Sequence, residues 1–159
     1  TSADLLIGNL ENPVSERGVK VGSIYSFRAD PRTLAGLTYA GFDLVTLANN
    51  HIWDYGREAV LDTFNHLKAA GIDFVGAGPD YDSAHAAVVK ELGNTKLAFL
   101  GYTNLIPASV TTPEATPAVA GIDTAAIAAD IATARERADL VVVQFHWGEE
   151  YKLIHNDYQ

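Results

Sequence analysis

With 159 residues, 48% of them hydrophobic and 19% charged, the chain is long enough to bury one sizeable core and has the balance of a single globular domain. It has no cysteine, which excludes disulfides and thiolate metal sites. Its formal charge of −9 argues against a nucleic-acid partner, which would require a basic face. No apolar run approaches the ~18–20 residues of a membrane-spanning helix.

Strands and helices are predicted to alternate. Residues 5–10 form a short apolar strand that ends in Asn9-Leu10-Glu11-Asn12-Pro13, where proline stops any ladder. Residues 14–20 are polar and read as loop. Residues 21–28 alternate in part, with Val21, Tyr25 and Phe27 on one face, and are expected to form a strand, with a sheet edge as one candidate position. Asp30-Pro31 starts a helix, with aspartate as N-cap and proline at the first helical position. Gly41 ends it.

Residues 42–47 form the next strand, followed by Ala48-Asn49-Asn50-His51-Ile52-Trp53-Asp54-Tyr55-Gly56. A helix opens at Gly56 and closes at Gly71, with Val60, Leu61, Phe64 and Leu67 at helical spacing. Residues 72–75 are a strand running into Gly76-Ala77-Gly78-Pro79. Residues 86–92 and 95–102 flank Gly93-Asn94, a two-residue hairpin signal. Residues 103–121 read as one long loop, a length usually tied to function or mobility. Residues 123–138 form an alanine-rich helix capped by Asp123. Residues 139–145 form a buried strand with His146-Trp147-Gly148-Glu149-Glu150 at its end. The order implies one α/β domain over residues 1–159, with a mixed rather than purely parallel sheet.

Three polar clusters share one structural place, the C-terminal end of a strand: Gly8-Asn9-Leu10-Glu11, Asn49-Asn50-His51 with Asp54, and His146-Trp147-Gly148-Glu149. In open α/β sheets ligands bind beyond those ends, where loops from distant parts of the chain converge. Carboxylate, asparagine carbonyl and imidazole together form a donor set suited to Mn²⁺, Fe or Zn²⁺. Singly, each cluster has an ordinary reading. Glu11 is a solvated turn residue, Asn49-Asn50 a turn, His51 a loop histidine, Asp54 the N-cap of the helix at Gly56, and Glu149 and Glu150 helix-start charges. His66, His85 and His155 carry no motif and are read as structural. A buried valine-rich strand has no structural need of His146 at its end, and the three clusters together favour a metal site.

The runs GNLENP (8–13), GFDLVTLANNHIWDYG (41–56), LDTFNHLKAAGI (61–72) with GAG (76–78), LAFLGYT (97–103) and HWGEEY (146–151) resemble the bacterial capsule synthesis family, the CapA-type poly-γ-glutamate synthesis proteins. The resemblance covers essentially the whole chain. It implies a calcineurin-like metallophosphoesterase fold, a four-layer αββα sandwich with two divalent metal ions (Mn, Fe or Zn) at strand ends. Carried over residue by residue, it makes Glu11 the bridging carboxylate, Asn50 and His146 metal ligands, and His51 the proton donor or phosphate contact. Asp54 would orient His51. The family's opening Gly-Asp motif and closing His-rich motif have no counterpart in this chain. It is therefore expected to be the middle of the domain, binding metal weakly and itself inactive, with an empty site and a homo-oligomer among the expected outcomes.

The resemblance further implies a metal-dependent hydrolase acting in capsule or poly-γ-glutamate biosynthesis. Its substrate would be a phosphoester or an anionic polymer, its partners capsule synthesis membrane proteins, and its location the bacterial cell envelope, anchored or extracytoplasmic. The alternative is a non-catalytic component that binds polymer or partners, with loop 103–121 as a docking element.

Overall fold

A computed structural model describes residues 3–22 and 24–159. Three parallel strands form the first sheet in the order β1 (Ile7–Asn9), β2 (Leu44–Thr46), β3 (Asp73–Val75), in a register that sets Asn9 beside Thr46 and Thr46 beside Val75. The second sheet is mixed. Its central strand β6 (Thr95–Thr103) pairs antiparallel with β5 (Val88–Leu92) and parallel with β8 (Leu140–His146), which aligns Thr103 with His146. The β5–β6 turn is the expected two-residue hairpin: Leu92 pairs with Thr95, and Gly93 has φ of 59°, the left-handed region that glycine enters at no steric cost. A small antiparallel pair, β4 (Ala77–Gly78) with β7 (Ala118–Val119), links the two halves.

Packing sorts these elements into four layers. Helices α1 (Leu34–Ala40) and α2 (Gly56–Ala70) cover the first sheet, and Val60, Phe64 and Leu67 bury against Val45, Leu47 and Ile72. Helix α4 (Thr124–Arg135), with the short α3 (Tyr81–His85), covers the second sheet through Ala84, Ile127 and Ala134 against Ala98, Leu100 and Tyr102. Between the sheets lies a third cluster: Leu44 and Val75 from one face, Phe99 from the other, flanked by Ile7, Leu97 and Val142. Helix–sheet–sheet–helix is the expected αββα sandwich. The sheets meet closely at their C-terminal ends. A Cβ added to Gly101 would lie 2.6 Å from Thr46 Oγ1, and one added to Gly76 would lie 2.9 Å from the Gly101 carbonyl oxygen.

Local chemistry explains most of the boundaries. Asp30 accepts the Arg32 N–H ahead of Pro31 and opens a 3₁₀ turn (Pro31–Thr33) that runs into α1. Gly41 ends α1 at φ 82°. Asp123 caps α4 by accepting the Ala126 N–H, as expected, and Gly71 ends α2 at φ 71°.

Three expectations fail. Residues 21–28 are not a strand among the described residues, with Ser23 lying outside them. Val21, Tyr25 and Phe27 are 54%, 68% and 51% exposed, so the alternation has no buried face to serve. Loop 103–121 is not free chain: it contains a 3₁₀ turn (Ala108–Val110) and β7, and it buries Val110, Ala115, Ala118, Val119 and Ala120. Strand β8 is only half-buried, because among the described residues β6 is its one neighbouring strand, and Leu140 and Phe145 are exposed.

Candidate metal centre

The strand-end clusters converge. His146 Nε2 lies 2.8 Å from Asn50 Oδ1 and 3.4 Å from Glu11 Oε1, so donors from the ends of β8, β2 and β1 meet around one nitrogen. The placement follows from the fold. The β1–β2 register sets the Glu11 and Asn50 loops side by side, while the closely packed strand ends bring β8 to them. Thr103 fixes the end of β8 by donating its hydroxyl to the His146 carbonyl at 2.7 Å.

Donor atoms around one cation, with bonds of about 2.0–2.2 Å, are separated by roughly 3–3.5 Å. Asn50 Oδ1 and Glu11 Oε1 each lie near that spacing from His146 Nε2, and because an amide oxygen only accepts, the Nε2 hydrogen would have to leave for an ion to enter. Carboxylate, amide oxygen and imidazole fit a hard-to-borderline divalent cation. Among the described residues no group of three or more His, Cys, Asp or Glu converges in this way, so the asparagine is integral to the set. Glu11 keeps 45% of its side-chain surface and His146 24%, which leaves the cluster open to a ligand from solvent.

His51, next in the chain to Asn50, faces a separate partner. Its Nδ1 lies 2.8 Å from Asp54 Oδ2, and both side chains are largely buried. A carboxylate only accepts, so Nδ1 carries the hydrogen and Nε2 is the nitrogen free to exchange a proton. Asp54 does not cap α2, as the sequence suggested: Tyr55 occupies the N-cap position without a side-chain bond. The Asp54 carboxylate is taken up instead by His51 and by the Phe27 backbone N–H at 2.7 Å, and its carbonyl accepts the Val21 N–H. The Phe27 ring meets the His51 ring edge-on at 4.8 Å between centroids. Val21 and Phe27 are thus held against the His51–Asp54 pair rather than in a sheet.

Sequence reasoning placed Asn9 and Asn49 in the polar clusters without giving either a role, and it missed Phe27 and Thr103. Asn49 passed for a turn residue, yet it is fully buried and its amide makes four hydrogen bonds. A second asparagine beside Asn50, directly after the apolar Leu47-Ala48, was the available signal. Phe27 and Thr103 gave none, since their roles depend on tertiary placement. Glu149 and Glu150 are exposed and join no cluster. His66 faces Asp62, and His85 pairs with Asp130, which also accepts the Tyr102 hydroxyl; both have structural surroundings.

The family described as "Bacterial capsule synthesis protein PGA_cap" matches residues 1–159. A "Capsule biosynthesis protein CapA" of Bacillus anthracis is 32% identical over 94% of this chain and 38% of its own length. A "PGA biosynthesis protein CapA" of Bacillus subtilis is 30% identical over 99% of this chain and 42% of its own length. The chain therefore spans about two fifths of the curated relatives it matches. A solved NAD nucleotidase of Haemophilus influenzae aligns with 76% of this chain and 22% of its own length, at 22% identity and a TM-score of 0.49, a likeness too partial to bear on function.

Proposed function

The chain belongs to the bacterial capsule synthesis protein family, and on that premise we propose that its strand-end cluster is part of a divalent-metal hydrolase centre serving the synthesis of an anionic capsule polymer at the cell envelope. The observation that carries this reading is the convergence of Glu11, Asn50 and His146 from three strand ends around His146 Nε2. The substrate class is a phosphoester. These three residues would hold one cation of the Mn, Fe or Zn type, and a second, as in two-metal hydrolases, would need donors beyond these three.

A bound cation supplies Lewis-acid neutralisation of a phosphoryl oxygen. The remaining work falls to the chain's own groups. Asp54 holds His51 in the tautomer with the hydrogen on Nδ1 and stabilises the imidazolium when Nε2 is also protonated. His51 then delivers the Nε2 proton to the leaving oxygen. The Phe27 ring covers one edge of the imidazole and restricts water there.

The non-catalytic alternative rests on the family resemblance and on loop 103–121 as a docking element; that loop buries Val110, Ala115, Ala118, Val119 and Ala120 and leaves Asn104, Leu105 and residues 107–109 exposed. Among the described residues no helix is long and apolar enough to cross a membrane.

The test is turnover of p-nitrophenyl phosphate and its bis ester by metal-replete full-length protein. Hydrolysis that falls about 10²–10⁴-fold in His51→Ala is the expected result. No hydrolysis of either ester, with capsule-polymer binding that survives a chelator, would favour the non-catalytic role.

A further inference from the structure

Asn49 and Asn9 form a relay whose polarity is dictated at both ends. Asn49 Oδ1 accepts the backbone N–H groups of His51 at 3.1 Å and Ile52 at 2.9 Å. Its Nδ2 donates to the Leu10 carbonyl at 2.9 Å and to Asn9 Oδ1 at 3.0 Å. Backbone groups cannot exchange donor for acceptor, so the Asn49 amide has only one workable orientation. Asn9 must then present its oxygen to Asn49 and its Nδ2 elsewhere. That Nδ2 donates to Glu11 Oε2 at 3.0 Å, and an ionised carboxylate only accepts, so the far end agrees.

The consequence is a division of labour within Glu11. Oε2 is held by Asn9, while Oε1 is the oxygen 3.4 Å from His146 Nε2. His146 in turn meets Asn50, the chain neighbour of Asn49. The contacts close a ring: Asn49, Asn9, Glu11, His146, Asn50 and back through one peptide bond. Asn49 sits at its buried node with no exposed surface, and Asn9 and Glu11 lie at the exposed side.

We propose that Asn49 and Asn9 are positioning residues that set the Glu11 donor against the Asn50 and His146 donors, so that cation affinity depends on a relay that never touches the cation. This rests on the metal reading above. Partners that orient metal ligands from outside typically change affinity about 10–100-fold when removed.

The experiment is Mn²⁺ titration by calorimetry on full-length wild-type protein and on Asn9→Ala, with thermal unfolding of the metal-free forms alongside. Asn9 is exposed, so its loss removes the link to Glu11 without opening the core. The expected result is an Mn²⁺ Kd about tenfold weaker or more, with at most a small fall in metal-free Tm from the Asn49 Nδ2 hydrogen that loses its Asn9 acceptor. A purely structural role would move Tm and not Kd. Wild-type and variant binding Mn²⁺ equally would overturn the relay and leave the metal site standing. Wild-type protein that takes up no Mn²⁺ would overturn both. In Asn49→Asp the acceptor toward His51 and Ile52 survives, but a carboxylate oxygen faces the Leu10 carbonyl. It should weaken Mn²⁺ at least as much as Asn9→Ala, and an affinity equal to wild type would also refute the relay.

Discussion

His146 Nε2 meets Asn50 Oδ1 at 2.8 Å across 96 positions of sequence. The contact joins the ends of β8 and β2, which belong to different sheets, and it forms only when those sheets are packed face to face with their C-terminal ends together. Fold and site therefore stand on the same packing, and variants that loosen the sheets should disturb the donors.

Gly101→Ala tests that packing. The new Cβ would lie 2.6 Å from Thr46 Oγ1 in the opposite sheet, closer than real contacts allow. Destabilisation of about 1–3 kcal/mol is expected, from the cost of forcing volume into a filled core. Urea unfolding measures it, and stability equal to wild type would mean that the sheets do not approach as described.

Thr63→Val tests how the Glu11 strand end is tied to α2. The Thr63 hydroxyl accepts the Val14 N–H at 2.9 Å and donates to the Ala59 carbonyl at 2.7 Å, with both Val14 and Thr63 buried. Valine preserves the shape and strands the Val14 N–H. A loss of about 1–3 kcal/mol is expected by chemical denaturation.

Asp54→Asn separates charge from geometry. An amide oxygen can replace Oδ2 as acceptor for both Phe27 N–H and His51 Nδ1, so the segment should stay docked. The imidazolium loses its counter-charge. Phosphoester turnover should fall about 10²–10⁴-fold, while resistance to limited proteolysis near residue 27 is kept. A fall in protection without a fall in turnover would assign Asp54 to structure alone.

Tyr102 governs behaviour at high pH. Burial, followed by its hydrogen bond to Asp130 and the Asp130 charge, raises its pKa well above the ordinary value near 10. The folded state thus keeps a proton that the unfolded state releases. Its contribution is fully present below pH ~10 and is lost as pH rises beyond it. Stability should therefore fall above pH ~10, and Tyr102→Phe should flatten that fall. Denaturation midpoints from pH 8 to 11 would show it, and identical slopes in the two proteins would refute it.

Much of this was legible in the sequence because it is local. Caps and stops (Asp30, Gly41, Gly71, Asp123) announce helix ends, and Gly93-Asn94 announces its hairpin. The clusters that hold Glu11, Asn50 and His146 stood out as polar groups at strand ends, and the family resemblance gave these three the ligand roles. What failed was decided by tertiary placement. Segment 21–28 alternates like a strand, but its N–H groups at Val21 and Phe27 go to Asp54. The cap role given to Asp54 lost to that same demand. Asn49 looked like a turn because its four partners lie in two separate loops.

The most direct measurement is the metal content of the full-length protein, purified metal-replete and passed through gel filtration, beside its Asn50→Ala and His146→Ala variants. Bound Mn, Fe or Zn in at least stoichiometric amount is expected in the wild type, lost in both variants at unchanged circular dichroism. A wild type without metal, or variants that retain as much as the wild type, would contradict the metal reading.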